Sequence, residues 1–146
     1  MNYKLLIGLI GSYILSFSVN VIPAIKYPDL NVGVFHLLVT LVFIILLVTY
    51  SIKGSNALKI FSSIGVLSGV LIFVLTTFES NMLGNSIFDL VVSIQYPFYF
   101  IFTIPVFGCN LLFDLSSGSY SLLMSLFYGA VFALATYFQK RDAVLA

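Results

Sequence analysis

The sequence predicts an all-α, polytopic membrane bundle of five helices, the fourth of them kinked at proline or re-entrant. Three observations carry that prediction. Hydrophobic residues fill 61% of the 146 positions and charged residues 8%, far below the roughly 25% of an ordinary soluble domain. Mean hydropathy is +1.16. The apolar residues also fall into five runs separated by short polar turns, each near the ~20 residues that cross the hydrocarbon layer as a helix.

The spans are read as about 5–25, 33–52, 60–78, 87–109 and 119–139, within a single membrane domain covering 1–146. Six Lys/Arg against five Asp/Glu leave no basic patch for nucleic acid. A lone cysteine, Cys109, has no partner in the chain for a disulfide. The first run is longer than the apolar core of a secretory signal, so it is expected to stay as an anchor.

Leu5 to Ile25 carries no charge, and Gly8, Ser12 and Ser16 recur every four residues along it. Such a stripe lets a second helix backbone approach closely. The turn KYPDLN follows, where Pro28 cannot continue a helix. Gly33 to Ile52 is rich in β-branched and aromatic residues, which in lipid are ordinary membrane-facing material because hydropathy outranks propensity there. Its one ionisable group is His36. The turn KGSNALK is short enough to make its flanking helices antiparallel neighbours.

The third span, Ile60 to Phe78, holds Gly65 and Gly69 as a GxxxG pair, read as a contact within the bundle. A turn is expected over Glu79 to Asn85. The last span repeats the small-residue device at Ser125, Gly129 and Ala133, with Tyr120 and Tyr137 at headgroup depth and Lys140 and Arg141 closing it. The third and last helices are expected to pack through these stripes.

Ile87 to Cys109 is the stretch that decides the topology. It is apolar enough to enter a bilayer yet contains Asp89, Gln95, Pro97 and Pro105. If it crosses, Lys/Arg divide three against three between the two sides. If it turns back, they divide five (Lys4, Lys53, Lys59, Lys140, Arg141) against one (Lys26), a positive-inside pattern with both ends cytoplasmic. Backbone groups freed at a turn cost several kcal/mol each in lipid. That cost favours five crossings, with the fourth helix kinked near Pro97.

Two groups of residues are candidates for chemistry. Asn20, His36, Glu79 and Asp89 all lie toward the side reached after the first crossing, where they could form a polar cluster. Gln95, Pro97 and Tyr99 mark a helix break beside which a solute path could run. Asn110 and Asp114 are expected to cap or solvate the turn before Gly118.

No HExxH, GxSxG or P-loop occurs, and one His with one Cys makes no His/Cys metal cluster. Neither catalysis nor a cofactor is therefore expected. The expected role is a non-catalytic accessory, protective or assembly component acting through helix–helix contacts, with a small transporter or channel subunit as the alternative. Expected partners are the lipid bilayer and another integral membrane protein or a second copy. The composition suits a bacterial plasma membrane.

Overall fold

The computed structural model describes residues 3–79 and 86–145. The expected turn over 80–85 lies outside the described residues. Every regular element among the described residues is helical. Five stretches are long and apolar enough to cross a membrane: Tyr3–Lys26, Val34–Ser51, Asn56–Glu79, Ser86–Leu112 and Ser117–Arg141.

Four long helices make the frame: α1 (Tyr3–Lys26), α2 (Val34–Ser51), α3 (Asn56–Glu79) and α6 (Ser117–Leu145). We call the end where α1 begins proximal and the end where it finishes distal. α1 and α2 run antiparallel, with the Tyr13 ring edge-on to Phe43 and the Asn20 amide donating to Thr40 Oγ1 at 2.8 Å. α2 returns the chain to the proximal end, where the tight turn through Gly54, at φ +64°, leads into α3. A Cβ at Gly54 would lie 2.9 Å from the Gln139 backbone. Gln139 Nε2 also donates to Asn56 Oδ1, so α6 finishes at the proximal end too.

α3 and α6 form the most intimate pair. A Cβ added at Gly69 would sit 2.2 Å from the Ser121 carbonyl and 2.7 Å from Ser125, and one at Gly65 would meet the Tyr128 ring at 2.7 Å. Glycine is required at Gly69 because two backbones meet with no room for a side chain, as small-residue helix contacts demand, and at Gly65 because the Tyr128 ring fills the space. At the distal end Gly118 abuts Thr76. α6 therefore starts distally, antiparallel to α3.

The fourth apolar stretch consequently begins and ends at the distal end of the bundle. It contains α4 (Ser86–Ser93), α5 (Gln95–Phe98), a π-helical turn (Tyr99–Thr103) and a 3₁₀ helix (Ile104–Leu112). The descent follows α3, with Phe98 O at Ser68 and Phe102 against Phe61. The return follows α1 and α2, with Pro105 O at Ser16, Gly108 on the His36 carbonyl, and Asp114 bonded to Tyr27 at the distal end. Within the bundle the stretch follows the re-entrant alternative rather than a kinked helix leading from one end to the other. The expected kink near Pro97 moves as well: the helix loosens at Ile94, and the path reverses at the π turn ahead of Pro105.

This hairpin fills the distal half of the frame. Its tip reaches Tyr128, about 17 Å along α6 at 1.5 Å per residue. Below the tip an apolar cavity of about 470 Å³ opens among Leu6, Leu9, Phe43, Leu47 and Leu58.

Candidate functional site

The re-entrant hairpin gathers most of the buried polar chemistry, and the reason starts at Pro105. Proline has no N–H, so one carbonyl in the turn before it is left without its helical donor. The carbonyls of Ile101 and Phe102 lie in that turn. The Phe102 carbonyl instead accepts from Tyr128 Oη at 2.8 Å, and the Ile101 carbonyl from Tyr13 Oη at 2.9 Å. Each phenol comes from a frame helix on a different side of the tip.

The same device continues along the hairpin. Ser16 Oγ donates to the Pro105 carbonyl at 2.5 Å, Tyr120 Oη to the Val106 carbonyl, and Ser68 Oγ to the Phe98 carbonyl at 3.4 Å. Thr103 and Ser121 hydroxyls share a bond at 3.0 Å. The price of irregular backbone in an apolar medium, several kcal/mol for each unanswered group, is thereby avoided by side chains of α1, α3 and α6.

At the return limb's end, Asn110 clasps Leu115 reciprocally: its Nδ2 donates to the Leu115 carbonyl at 2.9 Å, and its Oδ1 accepts the Leu115 N–H at 3.0 Å. Asp114, at φ +49°, accepts the Tyr27 hydroxyl. That bond, formed only by the protonated phenol, raises the Tyr27 pKa above its ordinary 10.0, with burial and the Asp114 charge adding to it.

The four polar residues expected to cluster occupy separate environments. Asn20 is fully buried, with its Nδ2 shared among Thr40 Oγ1, Ser16 Oγ and the Pro105 carbonyl. His36 Nδ1 accepts the Gly33 N–H and closes the first turn of α2. Asp89 is exposed on α4, and Glu79 is half-buried at the end of α3. Among the described residues no hydrogen bond joins any two of them. Asn20 is the one that serves the hairpin.

Of the expected break, Pro97 is exposed, whereas Tyr99 is buried and donates to the Ala24 carbonyl at 3.1 Å. Gln95 is 4% exposed, and its Oε1 is buried with no hydrogen-bond partner. Gln95, Tyr99 and Glu79 line one distal cavity of about 270 Å³.

The small-residue stripe on α1 splits. Ser12 and Ser16 turn inward, while Gly8 is exposed and a Cβ there meets nothing within 4 Å. On α6, Ser125 is buried against Gly69, a Cβ added at Gly129 would lie 3.8 Å from Val66, and Ala133 is exposed. Tyr120, expected at headgroup depth, is instead fully buried on the hairpin. Sequence reasoning missed Tyr13, Thr40, Ser68, Thr103, Tyr120, Ser121 and Tyr128 as hairpin partners. The only signal for them was Pro105 itself, which announces an unanswered carbonyl in the turn before it but not what answers it.

The chain matches no protein-family model, no curated protein and no solved structure.

Proposed function

We propose that the protein is an integral membrane protein that traverses the bilayer four times around a re-entrant hairpin. In this reading its role is non-catalytic: it associates side by side with another integral membrane protein. The hairpin path leaves five Lys/Arg at the proximal end (Lys4, Lys53, Lys59, Lys140, Arg141) and Lys26 at the distal end. By the positive-inside rule the proximal end is then cytoplasmic.

One observation carries the association. α1 is the least covered long helix, with 17% of its apolar window buried against 33–44% for the others. Its outer face carries Gly8, Gly11, Leu15, Ser18 and Ile22, all exposed, at alternating spacings of three and four. That is the seam of a left-handed helix pair. A Cβ at Gly8 or Gly11 meets nothing within 4 Å among the described residues, so no close approach inside the bundle calls for glycine there, while two glycines on a seam allow a neighbouring helix to approach closely.

The test is a photoreactive residue placed at Leu15 in native membranes. The expected result is a discrete protein adduct that disappears when Gly8→Leu and Gly11→Leu are combined, with folding of the chain unchanged. Adducts with lipid alone would sink the reading.

A second reading, a small transporter or channel subunit, draws on the distal cavity beside Gln95. Against conduction stand the rings of Phe61, Phe102 and Tyr128, with mutual centroid distances of 5.0 to 5.9 Å, between that cavity and the proximal one.

A further inference from the structure

The hairpin fills only the distal half of the frame, and the space left below its tip is the apolar cavity of about 470 Å³. Three frame helices wall it: α1 through Leu6, Leu9 and Tyr13, α2 through Leu47 and Tyr50, and α3 through Leu58. From Leu6 to Tyr13 the wall runs about 11 Å along α1 at 1.5 Å per residue. In the membrane placement proposed above, that depth lies within one leaflet's half of the ~30 Å hydrocarbon layer. Ile10 on α1 and Ala57 on α3 also line the cavity and are both exposed. The mouth therefore lies between those two helices and opens sideways into lipid.

Apolar walls keep their dispersion contacts only when an apolar body fills the space between them. Water is a poor filler, since each molecule needs two to four polar partners, and Tyr13 Oη is already committed to the Ile101 carbonyl. A hydrocarbon chain entering from the side has no such need. The charges beside the mouth select the head of that chain. Lys4 stands two residues before Leu6 and Lys53 two before Ser55, which also lines the cavity, and both lysines are exposed. Of the five acidic residues, Asp29, Glu79, Asp89 and Asp114 lie at the distal end, which leaves Asp142 on α6 at the proximal one. Tyr50 is 7% exposed, and its hydroxyl bonds to no described residue, so a donor stands on the wall for an ester or phosphate oxygen.

We propose that this cavity holds one acyl chain of an anionic phospholipid of the proximal leaflet, inserted between α1 and α3 with its phosphate at Lys4 and Lys53. The chain then ends under the hairpin tip, where Tyr13 reaches the Ile101 carbonyl and the Phe61 ring, also on the wall, lies 5.0 Å from that of Phe102. Lipid occupancy props the reversal from below. The site rests on the membrane placement proposed above but not on the α1 seam, whose Gly8, Gly11 and Leu15 are not among the lining residues.

The experiment uses the full chain, purified in detergent and stripped of lipid, titrated with dioleoyl phosphatidylglycerol and followed by native mass spectrometry. Saturable binding of one lipid per chain is expected, with a raised thermal midpoint. Dioleoyl phosphatidylcholine should bind at least about tenfold more weakly, and Lys4→Gln combined with Lys53→Gln should bring phosphatidylglycerol down to that level. Ala57→Trp blocks the mouth from an exposed position, with the fold checked by circular dichroism, and should weaken both lipids at least about tenfold. The lysine variant touches no packed residue, so it tests the site even where Ala57→Trp perturbs the fold. Gly11→Leu, on the seam, should leave lipid binding unchanged, which separates failure of this site from failure of the α1 contact. Equal affinity for the two lipids, indifference to the lysine variant, uptake of many lipids without saturation, or a lipid-free dimer in place of the complex would overturn the proposal.

Discussion

Gly108 is the residue on which the hairpin's return limb meets α2. A Cβ there would lie 2.2 Å from both the His36 carbonyl and Thr40 Oγ1, and Thr40 is itself tied to Asn20 and Ser16. Gly108→Ala must push two backbones apart, and we expect it to destabilise by about 3 kcal/mol, the upper part of the range for overpacking. Gly11→Ala, into open space, should stay within about 0.5 kcal/mol. Thermal unfolding of both variants in one detergent checks the contrast, and equal losses would contradict the close approach. At this scale the sequence was partly legible. Gly65 and Gly69 were readable as a contact, because two glycines four apart open one helix face to the close approach of another backbone. Gly8, Ser12 and Ser16 were not separable into outward and inward positions. Both faces of a membrane helix are apolar, so hydropathy carries no phase.

At the scale of elements, the hairpin is held at its distal end by a bond between two loops, Tyr27 Oη to Asp114. The phenol's pKa is raised in the folded chain because Asp114 accepts its proton-bearing oxygen. The bond's contribution is therefore complete below the ordinary value of 10.0 and is lost as pH rises through the raised folded value. We expect the thermal midpoint of the native chain to exceed that of Tyr27→Phe below pH 10, and the two to converge above it. A difference independent of pH would remove Tyr27 as the cause. The break in the fourth stretch was legible from its prolines, but its position was not. Pro97 sits exposed in α5, where it leaves the descent intact. Pro105 lies at the reversal, and what makes the reversal tolerable is Tyr13 and Tyr128, 92 and 23 residues away in sequence. No window along the chain contains such a pairing.

For the whole molecule, the reversal decides which loops share a side. Cysteines introduced at Lys53 and Lys140 should be labelled together from one face of the membrane, and cysteines at Asp29 and Phe113 from the other. Cys109, buried in the return limb, should stay unreactive. Labelling of positions 53 and 140 from opposite faces would restore a fifth crossing. Composition and run length alone determined that this chain is helical, that five of its stretches are long and apolar enough to cross a membrane, and that the fourth is the irregular one. These are properties of local hydropathy and proline content, which need no knowledge of neighbours. Whether the irregular stretch goes through or turns back was decided only by tertiary structure. The two paths differ in where freed carbonyls find donors, and in an apolar medium those donors must come from side chains that only the folded bundle brings within reach.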